Sequence, residues 1–104
     1  ALTGSIAVKN ISANTKAGFS VVSHAGTGVA GTVDHGLQKS PDLIIYKQTS
    51  STAVAKNWVV YSSPLGETKT MGLNLSSNGA TDPDAWNDTP PTPTVFSLGI
   101  GDDM

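Results

Sequence analysis

The apolar residues of this chain come in short bursts. Leu43 to Tyr46 (LIIY) and Trp58 to Tyr61 (WVVY) are four-residue runs of leucine, β-branched and aromatic side chains. Such runs are too short for a helix and suit strands buried on both faces. The polar connector Gln48 to Lys56 joins them, and the pair is the expected centre of the fold. Elsewhere the apolar spacing is two. Gly18 to His24 sets Phe19 and Val21 on one face and Ser20, Val22 and His24 on the other. Thr32 to Leu37 aligns Val33, His35 and Leu37. Thr68 to Leu75 predicts Met71, Leu73 and Leu75 inward, with Thr70, Gly72 and Asn74 outward. Thr94 to Ile100 aligns Phe96, Leu98 and Ile100. Ile6 and Val8 alternate until the pattern fails at Asn10, which predicts a weak edge strand or an extended arm over residues 1–17. Apolar residues never recur at helical spacing over ten positions.

Six or seven short strands separated by turn signals predict an all-β fold: a single-domain antiparallel β-sandwich of jelly-roll or concanavalin-like type, with little or no helix. The arm covers residues 1–17 and the sandwich residues 18–104. Position 1 is not Met and the chain stops abruptly at Met104, so a fragment with a truncated C-terminal end is expected. The longest unstructured stretch, Ser76 to Pro93, is polar and contains one Trp. A loop of that length in a small domain is usually functional or folded as a compact excursion.

Composition narrows the function classes. The chain has 104 residues and only 13% of them are charged, while 12 Ser, 12 Thr and 11 Gly fill strands and corners. The net charge is −2, and all six basic residues are Lys. Without Arg or a basic cluster, nucleic-acid binding lacks both its electrostatic driving force and its preferred fork. There is no Cys, so disulfides and thiolate metal sites are excluded. That mildly favours assembly in a reducing compartment. No apolar run reaches the roughly 20 residues of a membrane span, and the first residues lack the pattern of a signal peptide.

Candidate chemistry is thin. His24, His35 and Asp34 form an imaginable hydrolase constellation, but no Ser sits on a nucleophile elbow, and a hydrogen-bonded core His is the plainer reading. Gly26, Gly28 and Gly31 give G-x-G-x-x-G, yet a strand-like segment follows where a phosphate cradle needs a helix. Asp82, Asp84, Asn87 and Asp88 bunch oxygen ligands as calcium requires, without the Gly and distal Glu of an EF-hand loop. A solvated turn explains them better. Trp86 beside Asp84, Asn87 and Asp88 is the best candidate contact for a glycan or partner, because a ring face stacks on a sugar while amides and carboxylates bind its hydroxyls. The plainer reading of Trp86 is an anchor folded back into the domain. The Asn-X-Ser/Thr triplets at Asn10, Asn74 and Asn87 are explained by chance in so Ser/Thr-rich a chain. No catalytic residue, cofactor or metal site is assigned.

Four stretches together carry a family likeness: GFSVVSHAGTGVAGTVDHGLQKSPDLIIYKQ, NWVVYSSPLG, TKTMGLNLSSNGAT and AWNDTPPTPTVFSLG. From about Gly18 to Gly99 the chain resembles the concanavalin-like β-sandwich domains of tail-fibre and related virion proteins of tailed phages, especially marine phages and cyanophages. The likeness is centred on the His35-Gly36-Leu37 turn, the Trp58 strand, the Leu73-Asn74-Leu75 strand and the Trp86-Asn87-Asp88-Thr89 loop. The first 17 residues match less well. The resemblance implies a non-enzymatic structural component of a tailed-phage virion, assembled in the host cytoplasm. A tail fibre, spike or surface-decorating module is implied, contributing to host attachment. Expected partners are other copies of the chain, a trimer first, other virion proteins and host surface glycans. The N-terminal arm is the expected seam between copies. The alternatives are a glycan-binding module working through the Trp86 loop and a capsid decoration protein.

Overall fold

The computed structural model describes residues 4–49, 57–76 and 79–100. Among the described residues, eight strands form, all paired antiparallel, and there is no helix. They are β1 (Val8–Asn14), β2 (Phe19–His24), β3 (Gly31–Asp34), β4 (Leu43–Tyr46), β5 (Val59–Ser62), β6 (Lys69–Gly72), β7 (Ala80–Thr81) and β8 (Val95–Leu98). The strands β4-β5-β6-β7 make a four-stranded meander, β1-β2 a hairpin, and β3-β8 a pair that closes the chain over a long sequence separation.

The four-stranded sheet and the β3-β8 pair contribute to one core, the packing of a β-sandwich. Val33 from β3, Phe96 and Leu98 from β8, Val59 and Tyr61 from β5, and Ala85 and Trp86 from the long loop are buried together. Val22, Ile44 and Tyr46 pack against this cluster from β2 and β4. Alternation explains the selection. On β5 the residues Val59 and Tyr61 point inward, while Val60 points to the opposite face and is buried there between its cross-strand neighbours Ile45 and Met71.

One open expectation is settled and three need correction. The N-terminal segment is the edge strand and not an extended arm. Ile6 joins the core, its N–H bonds to the Thr32 carbonyl at 2.9 Å, and Ser5 and Thr32 exchange side-chain-to-backbone hydrogen bonds, each 2.9 Å. β1 is bonded along its length to β2. The period-two pattern of Thr68 to Leu75 runs with the opposite facing: Met71 stands opposite Val60 on the outer face and Gly72 opposite the inward Val59. The Leu75 N–H bonds back to the Gly72 carbonyl, and Leu73 and Leu75 end exposed rather than inward. Ile100 lies outside β8 and is exposed. The central pair is real, with Leu43 opposite Ser62 and Tyr46 opposite Val59. Only β5 is central, however. β4 lies at the sheet edge with Leu43 and Ile45 exposed. Most of the connector, residues 50–56, lies outside the described residues.

Candidate functional site

Three pieces of local structure surround the core, and each carries residues singled out by the sequence.

The first is the turn after β7. Ala85 N–H reaches the Asp82 carbonyl (3.3 Å), Asp88 N–H the Pro83 carbonyl (2.9 Å) and Thr89 N–H the Trp86 carbonyl (3.2 Å). The winding ends in two consecutive residues of positive φ, Asn87 (53°) and Asp88 (47°). Asn and Asp tolerate this left-handed region better than other side-chain-bearing residues. The result is a compact knuckle that drives Ala85 and Trp86 into the core. Trp86 is 2% exposed and meets Tyr61 edge-to-face, with ring centroids 5.8 Å apart. Asp84, Asn87 and Asp88 stay exposed on the outer side of the knuckle. The anchor reading of Trp86 therefore holds, and its ring offers no face to a sugar. Among the described residues, no group of three His, Asp or Glu side chains converges as a metal site.

The second is the turn after β3. His35 is 3% exposed. Its Nδ1 accepts the Leu37 N–H at 3.1 Å and its Nε2 lies 2.8 Å from the Thr92 carbonyl oxygen. A carbonyl can only accept, so the Nε2-protonated tautomer satisfies both contacts. Gly36, with φ of 72°, lets the chain reverse, and a Cβ there would run into Ala13 and Ile11 of β1. Asp34, also buried, accepts the Gly4 N–H at 2.8 Å. The imidazole thus joins the exit of β3 to the segment entering β8. It has the hydrogen bonding of a structural His, with both ring nitrogens engaged.

The third is a cleft of about 280 Å³ between β2 and β4. Ser20, Val22 and His24 line it from β2; Ile44, Tyr46 and Lys47 line it from β4 and just beyond. The rings of His24 and Tyr46 stack at 5.7 Å and 30°. Burial pushes the Tyr46 hydroxyl above its ordinary pKa. Ser20 Oγ is buried with no hydrogen-bond partner among the described residues. His35 reaches the same cleft from its inner end. His24 and His35 are therefore brought to one cavity, while the Trp86 knuckle is a separate feature.

A family described as a domain of unknown function, DUF7483, matches residues 2–104. The chain belongs to the DUF7483 family. No curated protein and no solved structure matches it. The match spans the whole described fold of this DUF7483 domain, including the β1 region that the sequence set apart as an arm.

Sequence reasoning missed the β2–β4 cleft in this DUF7483 domain. It is built by two strands distant in sequence, so no local motif announces it. One signal was present: the face of β2 that carries Ser20 and His24 is the face turned toward the interior, while Phe19 and Val21 point out. A strand that exposes Phe and turns Ser and His inward is unusual for a finished sheet.

Proposed function

We propose that this domain is a non-enzymatic structural module of a tailed-phage virion, part of a fibre, spike or surface-decorating protein, that works by assembling with copies of itself and with neighbouring virion proteins. One observation supports this reading most: the outer face of the four-stranded sheet is largely apolar. Cross-strand register places Leu43, Ile45, Val60 and Met71 on that face beside Ser62 and Lys69, with Val60 itself buried and Trp58 and Leu73 continuing the apolar run. Leu43 is 59%, Leu73 61% and Trp58 44% exposed. A contiguous apolar sheet face of this kind marks an interaction surface. The trimer expected from the sequence would bury this face, rather than an N-terminal arm, between subunits. The family likeness of the sequence supplies the virion setting.

The glycan-binding alternative loses its stacking platform with the burial of Trp86, and retains only the exposed polar groups of Asp84, Asn87 and Asp88.

The reading is tested by light-scattering mass of the purified domain with and without Leu43→Lys and Leu73→Lys, together with mass spectrometry of purified particles. An oligomer that the two lysines dissolve, and peptides of this chain in the particles, are the expected results. A domain that stays monomeric at high concentration and is absent from particles would sink the proposal. Glycan hydrolysis abolished by Asp34→Asn at unchanged melting temperature would overturn its non-enzymatic part.

A further inference from the structure

The cleft between β2 and β4 has the construction of a place for one more strand. Among the described residues, β2 is bonded only to β1 and β4 only to β5, which leaves each a long edge without a described partner. The direction of the backbone groups on β4 follows from the register. Ser63 N–H donates to the Asp42 carbonyl at 2.9 Å, and Ile44 and Tyr46 stand opposite Tyr61 and Val59. In an antiparallel ladder the bonded pairs alternate, so Asp42, Ile44 and Tyr46 turn their N–H and C=O toward β5. Leu43 and Ile45 turn theirs to the free edge. The cleft wall includes every residue from Leu43 to Thr49. A wall made by one face of a strand would use alternate residues; a continuous run means that the backbone edge itself forms the wall.

The side chains around the edge select the occupant. Lys47 is the one charged residue of the described lining, and the rest of its side chains are neutral polar or apolar. Val22, Ile44 and Phe96 offer apolar contact on the inner side, while Phe19, Val21, Leu43 and Ile45 lie exposed on the outer side. An inserted strand would cover apolar residues with both of its faces. The Ser20 Oγ beside the same cleft is buried and without a hydrogen-bond partner among the described residues. Edge strands in finished proteins carry Lys, Pro or bulges that discourage pairing; the four residues LIIY carry none, with Pro41 and Lys47 just outside them.

We propose that the β2–β4 cleft is a strand-acceptor slot, filled by an extended, uncharged, β-branched segment of a separate polypeptide that hydrogen-bonds to Leu43 and Ile45. The mode is β-augmentation, with main-chain bonds giving affinity and alternate side chains giving selectivity. The donor's identity as a neighbour in the same particle rests on the assembly reading above; the slot does not.

The test uses the isotopically labelled domain and a blocked peptide of six residues alternating valine and threonine, with one lysine at each end. Amide hydrogen exchange is read by NMR. Exchange at Leu43 and Ile45 is expected to slow by about tenfold or more on peptide addition, and the same peptide N-methylated at alternate residues should leave it unchanged. Ile45→Pro should keep the fold, because the lost N–H faces the free edge, and should abolish the slowing. If that variant unfolds, the N-methylated peptide still decides. Protection of both amides in the peptide-free monomer would overturn the proposal. So would peptide-induced changes confined to other residues. A cleft that responds to free glucose and not to the peptide would overturn it in favour of a small-molecule site. Failure here leaves the assembly test at Leu73, outside the cleft lining, untouched, and dissolution of that assembly leaves the peptide result standing.

Discussion

His35 and Thr92 lie 57 positions apart, yet the imidazole Nε2–H donates to the Thr92 carbonyl oxygen at 2.8 Å. The other ring nitrogen accepts the Leu37 N–H, and the His35 N–H itself bonds to the Thr94 carbonyl. Ser40 adds a contact from its Oγ to the Pro91 carbonyl. One side chain therefore holds the β3 turn against the entry to β8. His35→Ala leaves a donor and an acceptor without partners in a part-buried site, and a loss of about 2–3 kcal/mol is expected. Urea unfolding measures it. Ring ¹⁵N shifts should show His35 protonated at Nε2 and bare at Nδ1; the opposite tautomer would contradict the assigned bonding.

Trp86 and Tyr61 form the aromatic centre of the core. Trp86→Ala should cost about 3–5 kcal/mol, as for other large-to-small core changes, a large share of the roughly 5–15 kcal/mol available to a domain. Asp84→Ala changes only an exposed side chain on the same knuckle and should stay within about 0.5 kcal/mol. The contrast separates an anchor from a surface contact. Comparable, small effects at both positions in a denaturation series would contradict the buried placement of Trp86.

These two sites also show which features were readable. Val33, His35, Phe96 and Leu98 follow a period of two and lie buried where the pattern places them. The LIIY and WVVY runs pair as expected, but edge and centre look alike in sequence, because two-sided burial depends on what covers the sheet. Hence Val60 is buried while its neighbour Ile45 is exposed. The apolar spacing of Met71, Leu73 and Leu75 continues through a turn, and the turn is set by side-chain hydrogen bonding. Asn74 Oδ1 accepts the Trp58 N–H at 3.0 Å and its Nδ2 donates to Asn57. Trp86 sits in a polar stretch, so local hydropathy points outward and tertiary packing wins. The positions that fix it, Asn87, Asp88 and Gly99, acquire meaning only when the knuckle is seen against β8.

Gly99 illustrates that last point and gives the third prediction. Its N–H bonds to the Ala85 carbonyl at 2.9 Å, and a Cβ at this position would collide with the Asp84 carbonyl. The obstacle is backbone, so no side-chain rotation relieves it. Gly99→Ala is expected to cost about 3 kcal/mol or more by pushing the knuckle off β8. Val29→Ala, at an exposed loop position, should be near neutral in the same melting experiment. Near-wild-type stability of Gly99→Ala would show that the knuckle and β8 do not pack as described.

Alkaline pH gives the last prediction. Tyr61 is buried against Trp86, and burial first, then the carboxylates of Glu67 and Asp42, raise its pKa above the ordinary value of about 10. Burial raises Tyr46 likewise. In the unfolded chain both hydroxyls lose their protons near the ordinary value, while the folded domain still holds them. The native state then binds more protons, so stability falls as pH rises. The contribution is fully present below about pH 9, declines through the unfolded value, and is gone once pH has passed the raised folded values. Melting temperature should therefore fall as pH rises above about 10, with phenolate absorbance lagging behind that of the unfolded chain. Tyr61→Phe removes one of the two titrating groups and should make the alkaline decline shallower. A decline of equal steepness in Tyr61→Phe would place the alkaline sensitivity elsewhere in the molecule.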